Sequence, residues 1–179
     1  MKKVIFLMLL LIVSIFLLSA CDIGEKQPDC IRIHIRANSN VQYDQDVKYL
    51  VRDYIVEALT PILAECKSKD EAYKTIKASI PLLTDVANAC LVENEQPYTA
   101  KISLRREKFP TRQYLSYTFP GGIYDALIIE LGEGVGDNWW CVAFPPLCFV
   151  PTDGNNENFK YKSKILEIIE KYKEVKDEQ

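Results

Sequence analysis

The chain has 179 residues, 48% of them hydrophobic, with ordinary glycine and proline content, so one packed domain is the expectation and disorder of the bulk is excluded. Its formal charge is -3, and a mildly acidic chain argues against nucleic acid as a partner, which calls for a clustered basic field. Six cysteines and a single histidine narrow the scope for thiol or metal chemistry.

Residues 1–20 have the layout of an export signal. Lys2 and Lys3 precede an apolar run from Val4 to Leu18, followed by the small residues Ser19 and Ala20 and then Cys21; the run is short for a permanent span. Leu18-Ser19-Ala20-Cys21 resembles the bacterial lipobox, in which the cysteine is lipidated and becomes the new N-terminus. The alternatives are an ordinary signal peptide cut nearby and an uncleaved anchor. Residues 21–29 are polar, with Gly24 and Pro28, and suit a tether. With lipid on Cys21, an odd number of cysteines is left, so at least one is free or pairs between chains.

Residues 30–150 form the expected domain. Ile31, Ile33 and Ile35 alternate with Arg32, His34 and Arg36, a strand with one apolar and one cationic face. A lone histidine such as His34 is more often a hydrogen-bonded structural residue than a catalyst. Asp44 is a candidate N-cap for a helix whose inner stripe is Val47, Leu50, Val51, Tyr54, Ile55, Ala58, Leu59, Ile62, Leu63 and Cys66. Lys48 and Arg52 fall on its outer face, and Pro61 is expected to kink or restart it. Ser68 and Glu71 form a capping-box pattern opening a second helix with Ala72, Ile76, Leu83, Val86, Ala87, Cys90 and Leu91 inward, interrupted at Pro81. An antiparallel helix pair places Cys66 and Cys90 at opposite ends, too far apart to bond.

From Tyr98 to Arg105 the period is two, a strand. Arg105 to Arg112 reads as a charged turn, Tyr114 to Phe119 as a second strand candidate, Pro120-Gly121-Gly122 as a turn, and Tyr124 to Leu131 as a central apolar strand. The glycines of 132–136 lead into no helix, so a turn is expected there in place of a phosphate loop. Trp139 to Phe144 gives a fourth strand, and Cys141 and Cys148 bracket Pro145-Pro146. A local disulfide between these two cysteines fits export; free thiols, or Cys141 as a nucleophile with His34 as base, are the alternatives. Paired metal-ligand spacings are missing, so no metal is expected. Residues 151–179 read as a polar linker and an amphipathic helix with the stripe Tyr161, Ile165, Ile168, Ile169, Tyr172 and Val175.

Ile33-His34-Ile35-Arg36-Ala37-Asn38-Ser39, Asp44-Gln45, Lys48, Val51-Arg52-Asp53 and Leu59-Thr60-Pro61 resemble the first block of the stage II sporulation protein R family. Phe109-Pro110-Thr111-Arg112, Pro120 to Leu127, Gly132-Glu133-Gly134, Asn138-Trp139-Trp140-Cys141 and Phe144-Pro145-Pro146-Leu147-Cys148-Phe149 resemble its second. The resemblance implies a signal protein of endospore-forming bacteria, exported from the forespore into the space before the mother cell. There it would trigger a membrane-embedded aspartic protease, stage II sporulation protein GA, which processes the precursor of sigma factor E. No catalytic residue is carried over and no cofactor or small-molecule substrate is implied. Arg36, Arg52, Trp139 and Trp140 are the candidate contacts, because aromatics and arginines dominate interfaces; placement of both tryptophans in the core is the alternative. The rival from another class is a secreted thiol hydrolase acting on cell-wall peptides through Cys141 and His34. A third reading, an envelope binding protein, calls for a deep aromatic-lined cleft. The expected architecture is α+β: a mostly antiparallel sheet of about four or five strands packed on two long helices, plus the C-terminal helix.

Overall fold

In the computed structural model, residues 28–114 and 117–146 are described, together with the isolated Lys3. The export signal apart from Lys3, Cys21, Cys148 and the linker and C-terminal helix expected over 151–179 lie outside the described residues. The element order is β1 (Ile31–Arg36), α1 (Gln42–Ala64), α2 (Lys69–Glu93), β2 (Ala100–Phe109), β3 (Arg112–Tyr114), β4 (Tyr117–Phe119), β5 (Gly122–Leu131) and β6 (Asn138–Phe144).

Four strands form one sheet in the order β2-β5-β1-β6, and β3 pairs with β4 in a separate hairpin. The sheet is mixed: β2 and β6 run antiparallel to their neighbours, but β1 and β5 are parallel, with Ile33 beside Leu127 and Ile35 beside Ile129. Chain direction explains this departure from the antiparallel expectation. The helical hairpin returns the chain to the end of the sheet where β1 finished, β2 descends from there, and β5 must rise alongside β1. Hydrophobic alternation carries no information about strand direction.

Both helices cover one face. Val51, Ile55, Ala58 and Leu59 of α1 and Ile76, Leu83, Val86 and Ala87 of α2 pack with Ile31, Ile33, Ile35, Leu127, Ile129 and Leu131 in the main core. Ser68 Oγ accepts the Glu71 backbone N–H at 3.2 Å, and the Glu71 carboxylate accepts the Lys67 N–H at 2.8 Å, so the capping box forms one residue out of its usual register. Asp44 is not the cap of α1: Val41 holds that position. Pro61 and Pro81 lie within unbroken helices; both are exposed, on the side where water can serve the carbonyls they leave unpaired.

The other face of the sheet is also covered, against the expectation of a solvated cationic face for β1. Cys30, Phe109, Phe119, Tyr124, Ala126, Ile128 and Val142 form a second core there. β2 extends to Phe109, so Arg105–Phe109 is strand and not turn, and the β3–β4 hairpin supplies Tyr114 and Phe119 to that core. Lys48 is likewise not on an outer face: it is 1% exposed, and its ammonium donates to Gln45 Oε1 at 2.6 Å and to the Asp137 carbonyl at 3.1 Å.

Candidate functional site

Edge strand β6 places the sequence candidates. Successive strand residues point to opposite faces, so the adjacent tryptophans part company. Trp139, opposite Ile35, packs against the rim of the helix-side core. The Arg52 guanidinium lies 5.7 Å from its ring centre and 5.1 Å from that of Tyr49. Trp140, opposite His34, stacks on that imidazole with centroids 5.2 Å apart, and Arg112 covers its ring at 4.2 Å. Both tryptophans are half-buried. The four candidate contacts therefore fall into two groups, Arg52 with Trp139 and Arg36 with Trp140, on opposite sides of the sheet.

Arg36 is held in an ion network. It donates to Glu130 at 2.7 Å and to Glu107 at 3.0 Å, and Arg105 adds longer contacts to the same two carboxylates. His34, 4% exposed, lies between Glu107 Oε1 at 2.5 Å on Nδ1 and Asn138 Oδ1 at 2.8 Å on Nε2. Burial alone would raise the Glu107 carboxyl, but the His34 hydrogen bond, the His34 and Arg36 charges and the Arg105 contact hold it below its ordinary value of 4.5. A carboxyl lowered in the folded state stabilises the fold above the unfolded value and loses that contribution as pH falls through the folded one. Stability is thus expected to decline below about pH 4.5, and urea titrations of Glu107→Gln should show a flatter decline there than the native chain.

Beneath this network sits Arg32, fully buried. Its Nε donates to the Cys141 carbonyl at 3.0 Å and its Nη2 to the Tyr114 hydroxyl at 2.9 Å, while Nη1 has no hydrogen-bond partner among the described residues. The rings of Phe109, Tyr124, Phe119 and Tyr114 surround the guanidinium at 4.6 to 5.5 Å. The cage replaces a counter-ion: quadrupoles of four desolvated rings attract the cation.

The nucleophile and base of the hydrolase reading are not brought together. Cys141 pairs with Ile33 and joins the helix-side core, whereas His34 faces the other side, so the sheet separates them. Cys148, the expected disulfide partner of Cys141, is outside the described residues. Cys30, Cys66 and Cys90 are free, and burial pushes the Cys30 and Cys90 thiols up to about 11 and about 12, the opposite of an activated nucleophile. Among the described residues no group of three or more potential ligands is placed to hold a metal. A cleft of about 400 Å³ lined by Asp29, Cys30, Lys69, Arg106, Tyr124 and Asp125 is polar in place of the aromatic cleft of the envelope-binding reading, and Lys69 closes it with ion pairs to Asp125 at 2.9 Å and Asp29 at 3.3 Å.

Sequence reasoning missed Arg32, Glu107, Asn138, Arg112 and Tyr49. An arginine inside an alternating strand carries no mark of burial, and Glu107 lay in a stretch dense enough in charge to pass for a turn.

The fold and site define a small α+β domain whose arginines, histidine and tryptophans are committed to stacked and ion-paired clusters at an edge strand. Residues 27–154 match the family model for stage II sporulation protein R, and the chain belongs to that family. It is 34% identical over 132 residues to stage II sporulation protein R of Bacillus subtilis (strain 168), an alignment covering 71% of this chain and 59% of that relative's length. No solved structure matches.

Proposed function

We propose that this chain is an exported sporulation signal that switches on the mother-cell membrane aspartic protease, stage II sporulation protein GA, so that it processes the sigma-E precursor. Membership of the family over residues 27–154 is the observation that carries the reading. The geometry favours binding over turnover, because the sheet lies between Cys141 and His34 and the residues of interface character are held in place by stacking. In this account the chain acts without enzyme activity, cofactor or small-molecule substrate, by binding the active state of the protease more tightly than the inactive one. The signal over residues 1–20 exports it from the forespore. Lipid on Cys21 holds it at the membrane, raising its local concentration opposite the target. A bridge from Cys141 to Cys148 closes the Pro145-Pro146 loop.

Co-expression with the protease and the sigma precursor in a non-sporulating host tests the reading. Cleavage should depend on this chain; equal cleavage in its absence would sink the proposal.

A further inference from the structure

β1 runs from the end of the sheet where the chain enters at Pro28 to the far end at Arg36, about 20 Å at 3.3 Å per residue. The far end is built from the start of α1, the end of α2 and the β5–β6 loop, and it is tightly tied. The Tyr43 hydroxyl donates to the Asn94 carbonyl at 2.6 Å, the Val135 N–H to the Asn38 carbonyl at 3.3 Å and the Gly136 N–H to the Ala37 carbonyl at 2.9 Å. The Asp137 N–H donates to Asn40 Oδ1 at 2.6 Å.

Most of the exposed large apolar side chains belong to the segments that build this end. Among the described residues the large apolar side chains left exposed are Val41, Tyr43, Tyr49, Val92, Ile123 and Val135, and all except Ile123 belong to these three segments. Tyr49 continues the cluster toward β6 through the Arg52 guanidinium and Trp139. Tryptophan, tyrosine and arginine in fixed stacking are the residue types that anchor interfaces, because little side-chain freedom remains to be lost on binding.

The charge around the cluster is predominantly negative, with the half-buried Arg52 as a cation at its Tyr49–Trp139 edge. Asp46, Glu93, Glu95, Glu133 and Asp137 are exposed there, while segments 37–49, 92–99 and 131–138 contain a single cation, the buried Lys48. An acidic rim around apolar residues repels an anionic bilayer and a second copy of itself, and attracts a protein surface whose apolar contact is ringed by lysine and arginine.

We infer that this far end, with Val41, Tyr49 and Val135 among its exposed apolar residues and Asp46 and Glu133 among its exposed acids, is the docking surface for a basic-rimmed protein partner. This pole lies at the opposite end of β1 from the chain's entry at Pro28. Equating that partner with the protease rests on the proposed function; the placement of the surface does not.

The test uses the full mature chain and the membrane protease in lipid nanodiscs, with binding followed by interferometry. Tyr49→Ala combined with Val135→Ser is expected to weaken binding about tenfold or more. Asp46→Lys combined with Glu133→Lys, which touches only exposed side chains, should slow association about tenfold and flatten its decline with salt. Ile123→Ser, an exposed apolar residue at the other pole, should bind as the native chain does. Native-like binding by both double variants would overturn the surface while leaving the activator reading standing. Failure of the native chain to bind would overturn that reading and this assignment together.

Discussion

Replacing Arg32 by alanine is expected to cost the domain about 3–5 kcal/mol of unfolding free energy, at the upper end for large-to-small changes in a core. The loss has three sources. The side chain is fully buried, so truncation leaves a void inside the cage of Phe109, Tyr114, Phe119 and Tyr124. The Cys141 carbonyl and the Tyr114 hydroxyl each lose the hydrogen bond that Arg32 donates, and a buried hydrogen bond to a charged group contributes about 1.5–3 kcal/mol. The β3–β4 hairpin, which reaches the sheet through Tyr114 and Phe119, loses the group it closes over. Methionine at the same position should recover most of the loss, because it fills the cage and brings no charge into it; replacing buried ions by apolar groups of similar volume is often neutral. Urea unfolding followed by tryptophan fluorescence measures both variants. Alanine costing less than about 0.5 kcal/mol, the range of ordinary surface substitutions, would show that the cage is not what fastens the hairpin.

Gly136→Ala is the second large effect. A methyl group there would stand 2.2 Å from the Ser39 carbonyl oxygen and 2.5 Å from its carbon, and backbone cannot step aside as a flexible side chain does. The β5–β6 loop would have to lift, breaking the Gly136 N–H bond to Ala37 and pulling the Asp137 carbonyl from the buried Lys48 ammonium. Burial already lowers the Lys48 pKa, with the Arg52 charge adding to it and Asp137 opposing. An expected cost of about 3 kcal/mol follows, the upper part of the range for overpacking, measurable as a shift in the urea midpoint with unchanged slope. A cost near zero would mean that the loop yields freely and that the far end is not a rigid platform.

Much of the fold was legible because each element has one face whose period is set by the main core. The alternating isoleucines of β1 and the stripe from Val47 to Leu63 follow from that. The turn at 132–136 was legible too: Gly132 and Gly134 take φ of 56° and 63°, the left-handed region that glycine adopts without strain. What escaped is the second core. Arg32 and His34 look in sequence like a solvent face, and only the folding over of a hairpin some 80 positions later reveals that they are covered. Lys48 escaped for the same reason, since its acceptor, the Asp137 carbonyl, is 89 positions away. Asp44 looked like a cap because acids gather at helix starts. Its carboxylate is instead a hub, accepting from Asn38, Ser39 and Tyr98; burial opposes its charge, but these donors outweigh burial and hold its pKa low. That the tryptophans face opposite ways follows from strand geometry alone, whereas which face each would meet needed the register of β6 on β1.

The central claim is that the chain acts from outside as a signal and not as a catalyst. Purified mature chain added to the outside of cells that express the membrane protease and the sigma precursor tests it most directly. The account predicts that precursor cleavage starts on addition, saturates as binding sites fill, and survives replacement of His34 by glutamine in a chain that remains folded. Cleavage that is unaffected by the added chain, or that disappears with the His34 imidazole while binding persists, would contradict it.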